Sequence, residues 1–252
     1  MTFRRTANRK PPTTGLATTR SKVAWAVAAA RAADLAAVRV TFLPPSRTSS
    51  TTSLVTSWVA SVAVAAAAGP RAQGRPRRSV LALAVTAEEE GLRGSRYYVA
   101  NPLIPLEETV FAFNTDGAGY SVTDRVSIVG LGRTSVDPLL EAAAAEAGLD
   151  LGSDPAPEQG LFDRSDNVNF ARAGVPTLTF SPGLDSFQSP AIAQYYHNAA
   201  DEVDASFDAA YFQRFVTAYV ASVLRIADAD ERPAWTPGDE YADEGEALYG
   251  GE

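Results

Sequence analysis

From Arg77 onward the apolar positions fall into short runs separated by helical spacings. Ser79 to Val85 (SVLALAV) is a continuous apolar run, which suits a strand buried on both faces. Thr109 to Phe113 (TVFAF) and Arg125 to Val129 predict two more strands, and Thr177 to Phe180 a fourth. Between them Gly94 to Ala100 predicts a short helix that stops before Pro102. Ser135 to Ala147 (SVDPLLEAAAAEA) predicts another, with Ser135 as N-cap and Gly148 as its stop. Asn167 to Ala173 predicts a short helix ended by Gly174 and Pro176. Phe207 to Ile226 has the 3.6-residue spacing of a long amphipathic helix. Strands alternating with helices predict an α/β fold, with a mostly parallel or mixed sheet and helices on both faces. Asp228 to Glu252 is acidic and predicts a surface tail that packs in part through Trp235 and Tyr249.

The pattern upstream is different. The first twenty or so residues are polar, basic and rich in Pro and Thr, as in a disordered tail. Lys22 to Val40 is Ala-rich with charges spaced through it and predicts a helix. Phe42 to Thr52 is a Pro/Ser/Thr-rich loop. Leu54 to Ala68 (LVTSWVASVAVAAAA) is uncharged and fits an Ala-rich helix packed on a sheet. It is short for a membrane span, and it starts too far from Met1 to be the core of a signal peptide.

Charge sharpens that division. Met1 to Ala87 holds thirteen basic residues and one acid, Asp34, a balance of +12. The rest holds nine basic and twenty-nine acidic residues, a balance of -20. Residues 1 to about 70 therefore stand apart from 71–252. The net charge of -8 argues against a nucleic-acid partner. Hydrophobic residues make up 46% of the 252, enough for one α/β domain with a sizeable core. With no cysteine, any metal must be held by His, Asp or Glu.

Polar chemistry in α/β folds gathers at the carboxyl ends of parallel strands. Glu88 and Glu89 follow the first predicted strand of the second part, and Asn114 and Asp116 follow the next. Arg164, Ser165 and Asp166 open a helix that leads into a further strand. Adjacent glutamates point in different directions, so one carboxylate can hold a metal while its neighbour faces a reacting water. A solvated acidic turn uses the same residues without chemistry. His197 is the single histidine, in YYHNAADEVD, with Asp201 and Asp204 near enough in sequence to orient its ring. Taken alone it fits a metal ligand or an ordinary surface group.

The joint order of TAEEEGLRGS (Thr86 to Ser95), FNTD, DRSDNVNFARAGVPTLTF and YYHNAADEVD resembles the co-catalytic zinc aminopeptidase family, metallopeptidase clan MH, family twenty-eight. The resemblance covers roughly residues 75–250. It implies a zinc-exopeptidase-like fold for 71–252, two zinc ions and a peptide substrate. By that resemblance Glu88 is the general base, taking a proton from a zinc-bound water and passing it to the leaving amine. Glu89 and His197 ligate one zinc and Asp116 the other. Tyr196 donates to the oxyanion of the tetrahedral intermediate. Arg164 and Asp166 fall in the segment lining the substrate cleft. The implied reaction is hydrolysis of the N-terminal residue of a peptide.

The family places two further ligands upstream of the Glu-Glu pair, a His in a His-x-Asp motif and an Asp that bridges both ions. This sequence has neither motif. No His precedes His197, and Asp34 is the one acid before Glu88. A shifted reading frame across residues 1 to about 70 explains both the charge split and the missing motifs. A genuinely divergent pseudoenzyme is the alternative. If no one-base or two-base shift of the coding DNA restores a His-x-Asp motif, the frame-shift explanation is excluded. Two other function classes remain beside the enzyme. One is a non-catalytic binding module, and the other is a protein tethered to a membrane through Leu54 to Ala68. Within the enzyme class, cyclisation of N-terminal glutamine by one zinc is a further variant. Family members are often secreted or periplasmic, whereas no signal-peptide pattern begins this chain.

Overall fold

The computed structural model describes residues 76–116, 119–198, 200 and 207–250, together with the backbone of 25–31 and 40–41. The run Leu54 to Ala68 and the acids Asp201 and Asp204 lie outside the described residues.

The sheet has seven strands in the order β2-β3-β1-β4-β7-β5-β6. They are β1 (Trp25–Arg31), β2 (Val40–Thr41), β3 (Arg78–Ala84), β4 (Thr109–Thr115), β5 (Arg125–Val129), β6 (Asp150–Ser153) and β7 (Thr177–Pro182). β2 runs parallel to β3, and β4 parallel to β7. β1 is antiparallel to both β3 and β4, so those two run the same way. β5 is antiparallel to β7 and parallel to β6. The sheet is therefore mixed, with β2, β3, β4 and β7 in one direction and β1, β5 and β6 in the other.

The strand expectations hold to within a residue or two at each end, because they rest on buried runs. All seven residues of β4 are buried. One face of β4 carries Phe111 and Phe113 into a cluster with Phe180, Phe215 and Tyr219. Phe113 stacks on Tyr219 with ring centroids 4.9 Å apart. Tyr219 and Phe215 belong to the long helix α6 (Ala209–Asp228), which Asp208 caps by accepting from the Tyr211 N–H at 2.9 Å. Helix α2 (Asp137–Glu146) contributes Leu140 and Ala144 to the same cluster. On the opposite face Ala112 meets Leu83, Val85, Tyr98, Phe170 and Val175. That second layer is built from α1 (Arg93–Ala100) and α4 (Asn167–Ala171). Two short helices, α3 (Leu161–Arg164) and α5 (Pro190–Tyr195), flank the strand ends.

Two expectations are corrected and a third is extended. Within the Lys22 to Val40 span, the described residues are strand and not helix, in Trp25–Arg31 and at the start of Val40–Thr41. Alanine favours helix in isolation, but β3 and β4 leave facing rows of backbone N–H and C=O groups that a strand between them satisfies. Ser135 does not cap α2; Val136 holds that position. The Ser135 hydroxyl instead accepts from the Ala234 N–H at 3.0 Å. Finally, the C-terminal segment packs through Trp235 and Tyr249 as expected, and more of it is held than a surface tail would be. Trp235 and Tyr241 are buried with Phe162 and Val168, and α7 (Ala242–Tyr249) follows. Trp235 donates to the Gly174 carbonyl at 3.1 Å. Gly174 has φ +89, and a Cβ there would sit 2.3 Å from the Glu244 carbonyl oxygen, so α7 packs directly on the turn into β7.

Candidate active site

β3, β4 and β7 all end at one edge of the sheet, and the chain leaving each of them supplies site residues. Glu88 and Glu89 follow β3, and Asp116 follows β4. The loop after β7 leads through Phe187 and α5 to Tyr196 and His197. Helix α4 feeds into β7, so its amino end, with Asp166 and Asn167, returns to the same edge. There Asn167 Oδ1 accepts from the Thr179 hydroxyl at 3.0 Å.

The signature TAEEEGLRGS is a strand-to-helix turn with little room. Gly91 and Leu92 N–H groups both donate to the Glu88 carbonyl, at 3.0 and 2.8 Å. Ala87 and Leu92 adopt left-handed conformations with φ 57. A Cβ on Gly94 would lie 2.6 Å from both the backbone N and O of Thr86, so only glycine lets α1 start against the end of β3. Ser95 then points into the protein. Its hydroxyl donates to Asp166 Oδ1 and accepts from Asn169 Nδ2, the latter at 2.8 Å. All of Ser95 and Asp166 is buried. This tie fixes the loop carrying Glu88 and Glu89 to the loop carrying Arg164.

Asp166 Oδ2 is buried and has no hydrogen-bond partner among the described residues. Burial, opposed by the bond from Ser95 and reinforced by the Asp116 charge, pushes its carboxyl up to about 6. Below it runs a second buried chain, in which Asn114 Nδ2 donates to Thr179 Oγ1 at 3.1 Å.

The site has two charged sides. His197 Nε2 lies 2.9 Å from Glu89 Oε1, an ion pair when the ring is protonated. His197 itself has φ +58, a strained value for a histidine. Its ring stacks on Tyr196 at 4.0 Å, and Phe187 meets Tyr196 edge-on at 5.0 Å. The Tyr196 hydroxyl is held above its ordinary pKa, chiefly by burial, against the pull of Arg164 and with the help of Glu89, Asp116 and Glu88. That one phenol thus feels all three acids and Arg164. The structure brings Glu88, Glu89, Asp116, Arg164, Tyr196 and His197 around a single edge, with Asp166 beneath it.

Ser95, Asn169 and Phe187 are parts of this site that the sequence pattern does not single out. Ser95 was visible as the last letter of the signature, but its bond to Asp166 spans 71 positions of sequence. Phe187 carries no motif.

Among the described residues no group of three or more His, Cys, Asp or Glu lies close enough to hold a metal ion. Zinc takes three or four protein ligands. Glu89 and His197 offer two donors in mutual contact. Outside the described residues the sequence adds carboxylates at Asp34, Asp201, Glu202, Asp204 and Glu252, and no histidine. The described residues therefore do not fit a zinc pair.

A mixed α/β sheet that collects adjacent glutamates, an aspartate and a Tyr-His pair at its strand ends is the arrangement of a metallopeptidase-like domain. The sequence profile of Peptidase family M28 matches residues 56–223, and the chain belongs to that family. The match begins upstream of Arg75, where the recognisable motifs start, and ends within α6. Among solved structures the chain is similar to BSAP, a zinc aminopeptidase from Bacillus subtilis, at 22% identity and TM-score 0.51, covering 75% of this chain and 42% of that one. It is also similar to an aminopeptidase from Aneurinibacillus sp. strain AM-1, at 22% identity and TM-score 0.42, covering 64% of this chain and 36% of that one. This chain thus spans less than half the length of either. No curated protein matches the sequence. Among the described residues no helix is long and apolar enough to cross a membrane.

Proposed function

We propose that this site is that of a zinc-dependent aminopeptidase, built to receive the free N-terminus of a peptide. The observation that carries the proposal is the meeting of Glu89 and His197, from loops more than a hundred residues apart, beside Glu88 and Tyr196. Three carboxylates around one edge favour a cationic α-amine over an acylated one. Tyr196, held protonated by its surroundings, keeps an O–H to donate to a carbonyl oxygen. Glu88 stands in the general-base position of the family signature. Zinc supplies carbonyl polarisation and an acidified water in such enzymes. Among the described residues the donors do not complete its site, and the expected rate of hydrolysis is that of background.

Two measurements test the two halves of the proposal. A short peptide with a free amine should shift the NMR signals of His197 and the Tyr196 ring, and its N-acetylated twin should not. Equal binding of both peptides sinks the aminopeptidase reading. An aminoacyl-nitroanilide reporter should be released at background even with added zinc. Zinc-dependent release that Glu88→Gln removes would show a working metal site.

A further inference from the structure

We infer that β1 denies a zinc pair its bridging ligand by its direction, because it fills the position between the two ligand-bearing strands with its wrong end at the site. The inference rests on the zinc-aminopeptidase reading above. The register fixes the geometry. Trp25, the first residue of β1, lies opposite Ala84 on one side and Thr115 on the other. Ala84 is the last residue of β3, and Thr115 is the last of β4. The amino end of β1 therefore sits at the edge from which Glu88, Glu89 and Asp116 emerge. Its carboxyl end, Arg31, lies opposite Arg78 at the other edge.

Distances make this decisive. Neighbouring strands are about 4.8 Å apart, so β3 and β4 with a strand between them are separated by about 10 Å. The ions of a co-catalytic pair sit about 3.5–4 Å apart, and each is bound at about 2 Å. The strand between β3 and β4 is the backbone nearest the gap between them. A parallel strand there would deliver its carboxyl-end loop to the gap, where α/β proteins place their chemistry. β1 delivers the chain that enters it. The sequence just before Trp25 is Ser21-Lys22-Val23-Ala24, with a cation and no ligand type. The single upstream acid, Asp34, follows Arg31 by three residues. The seven residues of β1 run about 20 Å from its carboxyl end back to the site.

The absence of cysteine makes the topology testable by cross-linking. Two double variants, Ala28→Cys with Leu81→Cys and Val27→Cys with Ala82→Cys, place thiols at adjacent registered pairs. At least one of them should close a disulfide under mild oxidation. Ala26→Cys with Ser79→Cys, neighbours only if the strand ran parallel over the same span, should not. The unmodified chain, loaded with zinc alone and passed through gel filtration, should retain less than one ion per chain. Closure of the Ala26/Ser79 pair, or two zinc ions retained per chain, overturns the inference. If the cysteine variants do not fold, zinc retention by the unmodified chain still decides it. The free-amine selectivity of the peptide test is independent of both results. Selectivity lost with β1 confirmed antiparallel would therefore fault the function and not the topology.

Discussion

Gly94 shows how much of the site depends on one missing atom. Its helix begins against the backbone of Thr86, and a Cβ would overlap both N and O. Gly94→Ala should cost about 1–3 kcal/mol, as overpacking does, read as a lower urea midpoint. It should also loosen the Glu88-Glu89 loop. Asp166 makes a different prediction at the same scale. Its carboxyl is raised from 3.8 to about 6 by burial. The folded protein therefore holds this proton more tightly than the unfolded chain. Its contribution to stability is fully present below about pH 4 and is lost as pH rises through about 6. Asp166→Asn keeps an acceptor for Ser95 and removes the charge. It should raise stability at pH 7.5 by up to about 3 kcal/mol, the value of a shift of about two units. The variant should also flatten the pH dependence between 4 and 6. A parallel pH profile for both proteins would mean that this carboxyl is not the group concerned. Both residues stand inside recognised motifs, so their importance was legible in sequence. The Ser95–Asp166 bond was not, because it joins positions that only the packing of α1 on α4 brings together.

Whole elements divide by how local their causes are. β4 and β5 are where the apolar runs place them, since a buried run has one sheet position to occupy. Ser135 was a sound N-cap by residue type. It lost that role to a partner 99 positions away, since its hydroxyl receives the Ala234 N–H. The C-terminal segment shows the same effect more strongly. Read as an acidic tail, it is held by Arg133, whose guanidinium lies 4.0 Å above the Phe162 ring and pairs with both oxygens of Asp239 and with Glu240. The Arg133 and Asp239 side chains are only 20% and 8% exposed, so this pair is not an ordinary surface bridge. Arg133→Ala should cost about 2 kcal/mol, the range for hydrogen bonds to charged groups. Amide exchange across 235–249 should quicken while that of β4 stays slow. Uniform quickening would mean that the segment is not a separate clasp. An acidic composition conceals such a clasp because each carboxylate reads as solvated until its cation is found in space.

At the scale of the molecule, the sequence by itself determined ancestry and edge chemistry. TAEEEGLRGS, FNTD and YYHNAADEVD name the family. They also fix which residues stand after which strands, because order along the chain and strand period are local properties. The same sequence, by lacking a His-x-Asp motif, already set an upper limit on the metal ligands. What tertiary structure alone decided is direction and contact. An Ala-rich stretch became a central strand because two open backbone rows demanded one, and it entered antiparallel. Glu89 and His197 became a pair because β3 and the loop after α5 end at the same edge. Strand direction and through-space pairing are set by the global balance of buried backbone and core packing, and no window of sequence contains both partners.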